Sequence, residues 1–114
     1  MEHRRRRYPR IPTAATVLVS QVDGRAVDQF ARTSTVGLGG CGFLYREELS
    51  VGAIVELMIA VRPVAVRTLA RVVYQRPVED GSAFEVGVEF VALDPDDRQR
   101  LEALLNTKLA AETA

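Results

Sequence analysis

A chain of 114 residues, 47% hydrophobic and 26% charged, has the makings of one folded domain with one core; a second core and wholesale disorder are both excluded. Its 15 basic and 15 acidic residues cancel, but unevenly: residues 1–10 hold five arginines against Glu2, so a cationic arm precedes an acidic body. Apolar runs stop at four or five residues, too short to span a membrane as a helix.

The charged run after Met1 leads into no apolar stretch, so a signal peptide is not expected, and the expected location is the cytoplasm. Cys41 is the sole cysteine, which rules out an internal disulfide and suits a reducing compartment.

Pro9 and Pro12 favour extended backbone over helix, so residues 1–12 read as a flexible arginine-rich arm and 13–112 as the folded body. Thr16-Val17-Leu18-Val19 is β-branched and apolar, and Asp23-Gly24 after it is a hairpin turn signal. A second strand is expected over 26–35. Then come four glycines in six residues, Gly37-Leu38-Gly39-Gly40-Cys41-Gly42. Between strands, such a cluster marks a tight connection with positive φ or the close approach of another group to bare backbone.

Strands follow over 41–45, 54–59 and 66–75, with turns at 49–52 and 79–82 and Pro63 in the connection between the fourth and fifth. Phe84-Glu85-Val86-Gly87-Val88-Glu89-Phe90 alternates without a break and is the clearest strand in the chain. Six strands joined by hairpin-type turns point to an antiparallel barrel or sandwich. One helix closes the sequence. Asp94 serves as its N-cap, Pro95 suits the first helical position, and Asp96 and Asp97 suit the positive end of the dipole. Leu101, Leu104, Leu105 and Leu109 share one face, expected to cover one opening of the barrel.

Catalysis finds little support. His3, the only histidine, lies in the arm, and no second histidine is present to activate Cys41, which reads as a small buried residue. One His with one Cys cannot hold a metal, and the glycine cluster lacks the Lys-Ser/Thr and following helix of a phosphate loop. No enzyme, no metal site and no cofactor are expected.

The order Arg6-Arg7-Tyr8-Pro9-Arg10, a glycine-rich turn after the second strand, Gly52, Ala70-Arg71-Val72-Val73, Val86-Gly87-Val88-Glu89-Phe90 and a short helix resembles the PilZ domain family over residues 4–109. The resemblance implies a mainly β fold, a six-stranded antiparallel barrel with a C-terminal helix. It also implies a bacterial signalling role through binding of cyclic di-GMP. The family's paired arginines fall on Arg6 and Arg10, with Arg7 beside them. Arginine suits such a ligand: its fork pairs with guanine O6 and N7 or with phosphate oxygens, and its plane stacks on a base.

The family's second motif, Asp/Asn-x-Ser-x-x-Gly, aligns with Thr35-Val36-Gly37-Leu38-Gly39-Gly40. Gly40 keeps the final glycine, while Thr35 replaces the acid or amide and Gly37 the serine. A carboxylate accepts from guanine N1–H and N2–H in a way a threonine hydroxyl matches poorly. The lost hydrogen bonds cost about 2–4 kcal/mol, or roughly 30- to 700-fold in affinity. The resemblance therefore implies a ligand site at Arg6, Arg7, Arg10, Thr35, Gly37 and Gly40. The function expected is a cyclic di-GMP module, weakened at that motif, that relays the signal through its arm to an unidentified protein partner. The alternative is an adaptor that has lost the nucleotide and acts through protein contacts. Nucleic-acid binding by the arm is disfavoured by the acidic body and the lack of an aromatic platform.

Overall fold

The computed structural model of the chain describes residues 10–12, 15–61 and 64–113. Its first hairpin follows directly from Asp23-Gly24. Strands β2 (Thr16–Val22) and β3 (Arg25–Gly37) flank these two residues, whose φ values of 50° and 82° are both positive. That is the two-residue turn whose twist matches the flanking strands. Asp23 also ties the hairpin to the start of β5 (Ile54–Val61): its amide donates to Ile54 O at 2.7 Å, and its Oδ1 accepts from Ile54 N at 2.9 Å.

The remaining strands are β1 (Arg10–Pro12), β4 (Gly40–Tyr45), β6 (Val64–Pro77) and β7 (Phe84–Leu93). All pairings are antiparallel. The ring runs β3-β2-β5-β6-β7-β4, and β4 pairs back onto β3 to close a six-stranded barrel. The expected fold is therefore present. β1 is a short addition that pairs with β3 through Arg10↔Gly37, Ile11↔Val36 and Pro12↔Thr35. Residues 10–12, read from sequence as the end of an arm, thus belong to the sheet; residues 1–9 lie outside the described residues.

Alternation sorts side chains to the two faces of the wall. Val17, Val19, Val36, Phe43, Val55, Leu57, Ile59, Val72, Val86 and Val88 point inward and are essentially inaccessible. Thr33 and Thr68 are the buried polar residues among those described, and Thr33 has partners: its Oγ1 accepts from Ala15 N at 2.8 Å, and its own amide donates to Ala15 O at 2.9 Å. These bonds hold Ala15, just before β2, against β3.

Helix α1 (Pro95–Thr113) begins as the sequence indicates. Asp94 Oδ1 accepts from Asp96 N, and Asp94 O from Arg98 N, both at 2.8 Å. The helix packs on β6, sending Leu101 and Leu105 into the core with Leu104 partly buried; the side chain of Leu109 lies outside the described residues.

Several β-bulges bend the wall. Val27 and Asp28 oppose Ser20 alone, and Asp28 takes a φ of 47° to do so. Ser34 is an extra residue in β3 against β4, and Val73 an extra one in β6 against β7. The last of these sets Tyr74 opposite Gly87, where a Cβ would come within 2.1 Å of Tyr74 Cε2. The glycine of Val-Gly-Val-Glu-Phe is thus required by a ring lying over it. Gly87→Ala should lower stability by about 1–3 kcal/mol in urea unfolding. Most of that loss should vanish in a Tyr74→Ala background, where no ring has to move.

Candidate functional site

The outer face of β3, β4, β7 and β6 is ordered in rows, because each outward residue lies beside its cross-strand partner. One row runs Gly40–Glu89–Arg71, the next Thr35–Gly42–Gly87–Tyr74, and the third Arg32–Leu44–Glu85–Arg76. Three of the six positions on the two central strands, Gly40, Gly42 and Gly87, therefore carry no side chain of their own, and all three are buried. Gly37 and Gly40 end β3 and begin β4, flanking the two-residue link Leu38-Gly39, whose Gly39 O accepts from Phe90 N at 2.8 Å. The hairpin is thereby fastened to β7.

The glycine cluster acts through close approach. Positive φ falls instead on Gly24, Gly52 and Gly81 among the described glycines. A Cβ on Gly42 would stand 3.3 Å from both Ser34 Oγ and Thr35 Oγ1. Successive strand residues ordinarily point to opposite faces, so the bulge at Ser34 is what lets both hydroxyls lean over one glycine. By its spacing from Gly40, Ser34 falls out of register with the second motif; the bulge, which no sequence signal marks, is what brings its hydroxyl beside that of Thr35.

Thr35, Gly37 and Gly40 are brought together at one end of a single hairpin, as their spacing implies. The register places Arg10 directly opposite Gly37 and Pro12 opposite Thr35, so the last strand before the body borders the same motif. Arg6 and Arg7 lie outside the described residues.

Charge on this face is paired across β6 and β7. Arg71 Nε and Nη2 donate to Glu89 Oε2 at 3.0 and 2.6 Å, and Arg76 Nε and Nη2 donate to Glu85 Oε1 at 3.1 and 3.0 Å. Arg76 also sits 5.6 Å from the centre of the Tyr74 ring. Arg71 and Glu89 are about half exposed, at 47% and 46%, so their attraction is worth only about 0–1 kcal/mol and the pair can be exchanged at small cost.

Nothing on this face is arranged as a nucleophile and base. Cys41 is wholly buried, in keeping with its expected role, and no metal-holding cluster occurs among the described residues. Open concavities of about 490 Å³ beside Leu44 and Ala83 and about 420 Å³ beside Leu69 and Ala92 are not lined by a motif glycine. A ligand on the glycine strip would rest on a wall and need covering from above. Among the described residues no helix is long and apolar enough to cross a membrane.

The chain matches the model of the PilZ domain over residues 4–107. No curated protein sequence matches it. Among solved structures it is similar to the inhibitor of motility MotI/DgrA of Bacillus subtilis, with 17% identity, a TM-score of 0.77, and coverage of 95% of this chain and 53% of that one. It is similar to YcgR from Escherichia coli in complex with c-di-GMP, with 19% identity, a TM-score of 0.76, and coverage of 96% and 49%. The chain thus spans about half the length of these two proteins. Against the PilZ domain of YcgR with c-di-GMP, the identity is 19%, the TM-score 0.70, and the coverage 96% and 97%. At these identities the likeness is one of fold.

Proposed function

Since the chain belongs to the PilZ domain family, we propose that it is a regulatory module that binds cyclic di-GMP on the glycine strip and relays binding through its N-terminal arm. The observation that carries this reading is the pairing of Arg10 with Gly37. It brings the arginine segment to the edge of the second motif with no intervening loop. Four residues separate Arg6 from Arg10, a reach of up to about 13 Å in extended chain. Arg10 sits one strand outside β3, so β4 lies two strand spacings away, about 10 Å. The arm is therefore long enough to fold back across the β3–β4 part of the strip.

Each part has a chemical task. The missing Cβ atoms at Gly37, Gly40 and Gly42 let a flat base come close to the wall once the groups that bury these glycines, the Ser34 and Thr35 hydroxyls over Gly42 among them, move aside. Guanidinium groups at Arg6, Arg7 and Arg10 match the two phosphates and the O6/N7 edge of guanine. Closing the arm over a dianion exchanges charge repulsion among arginines for charge-assisted hydrogen bonds, and that ordering is the proposed signal to a protein partner. YcgR, a structural relative with the same barrel, has been captured with c-di-GMP. The neighbouring reading, an adaptor without nucleotide, draws on Thr35 and Gly37, which supply one hydroxyl and no side chain where the family motif has two polar groups.

Titration calorimetry separates the two. Cyclic di-GMP should bind the wild type measurably, and Arg10→Ala should weaken it by at least tenfold; equal behaviour of the two proteins would remove the receptor reading. Restoring the motif with Thr35→Asp and Gly37→Ser should tighten binding by roughly 30-fold or more, from about 2 kcal/mol of recovered hydrogen bonding. Unchanged affinity in that double variant would show that positions 35 and 37 do not face the ligand.

A further inference from the structure

Resting on the receptor reading, we propose that Glu89 supplies the guanine-reading carboxylate that positions 35 and 37 lack, with Arg71 as its exchangeable partner. Guanine offers N1–H and N2–H side by side, and two carboxylate oxygens are the acceptor that fits both. Within the rows around the hairpin, the outward carboxylates are Glu85 and Glu89. Glu85 lies opposite Leu44, a bulky neighbour, and farther from the motif glycines. Glu89 lies opposite Gly40, at the roughly 5 Å Cα separation of an antiparallel pair. Gly40 itself places no side chain between Glu89 and the hairpin.

The position of Glu89 is fixed, while its carboxylate is available. The bond from Phe90 N to Gly39 O, at 2.8 Å, locks β7 to the β3–β4 link one residue away from Glu89. Arg71 reaches Glu89 with two donors, yet both end on Oε2, so Oε1 is open among the described residues. Both partners are about half exposed, and an exposed pair of this kind is weak. A guanine edge can therefore take over the carboxylate while Arg71 turns its fork to a phosphate of the same ligand. No covalent bond is made or broken in this exchange of hydrogen bonds, and the charge of a dianion compensates Arg71 for the partner it gives up.

The arrangement has a consequence for specificity. Adenine presents an acceptor at N1 where guanine presents a donor, so a carboxylate at that edge meets a lone pair. Glu89 then attracts guanine and repels adenine. An asparagine or serine in the family motif would discriminate less sharply, because amides and hydroxyls can both donate and accept.

The test is titration of the whole chain with cyclic di-GMP and with cyclic di-AMP, using wild type, Glu89→Gln, Glu89→Ala and Arg71→Ala. Glu89→Gln should bind cyclic di-GMP at least tenfold more weakly and lose most of its preference over cyclic di-AMP. Arg71→Ala should lower affinity for both ligands while keeping the preference, which separates base reading from a merely structural ion pair. Thr35→Asp placed in the Glu89→Ala background should restore guanine preference. Wild-type binding with an unaltered preference in both Glu89 variants would overturn this inference and leave the receptor reading standing. A wild type that binds neither dinucleotide would overturn both.

Discussion

The barrel closes through one strand. β3 runs for thirteen residues, with β2 and then β1 along one edge and β4 along the other. Closure satisfies the backbone groups that an open sheet would leave at its margins, and it fixes which residues face in and which face out. A one-residue slip of β3 would turn Val36 to water and Thr35 into the core, so the register is strongly enforced. The same enforcement sets the glycine hairpin against β7 on one side and β1 on the other. Two interior strand glycines, Gly42 and Gly87, each cost roughly 0.5–1 kcal/mol relative to alanine. The structure shows what each accommodates: two hydroxyls over Gly42, and an aromatic ring over Gly87.

This geometry joins weak parts into a candidate receptor surface. The glycine strip is a wall of buried backbone, with the Ser34 and Thr35 hydroxyls over Gly42 and the Tyr74 ring over Gly87. The pairing of Arg10 with Gly37 joins the start of the described chain to that strip, which is why the proposed site has the arm as its second half. The paired charges of Arg71 with Glu89 and Arg76 with Glu85 border that wall. They keep that part of the rim hydrated and nearly neutral. The larger structural relatives carry about as much chain again.

Local chemistry made much of this fold legible in the sequence. Asp23-Gly24 specifies its turn, the alternation in Phe84 to Phe90 specifies a half-buried strand, and Asp94-Pro95 specifies a helix start; each is a property of a few adjacent residues. The six barrel strands and the closing helix follow from those signals. What could not be read depends on partners far along the chain. Bulges at Ser34 and Val73 arise from how neighbouring strands are registered, so nothing in the local sequence announced that Ser34 shares a face with Thr35 or that Tyr74 lies over Gly87. The pairing of Arg10–Pro12 with β3 was hidden for a further reason, because two prolines in a charged segment resemble a linker. Glu89, alternating in a well-patterned strand, read only as an outward residue until its neighbour across the ladder was known to be Gly40.

The central claim is that the ligand lies on the outer glycine strip beneath the arm, and amide NMR during addition of cyclic di-GMP tests it most directly. Glycine amides resonate in a region of their own, which makes Gly37, Gly40, Gly42 and Gly87 convenient reporters. The account predicts that these amides and Arg10 shift most, while the face bearing Phe30, Leu18 and Met58 on the barrel's other side stays still. Shifts concentrated on that second face, with the glycines unmoved, would contradict it.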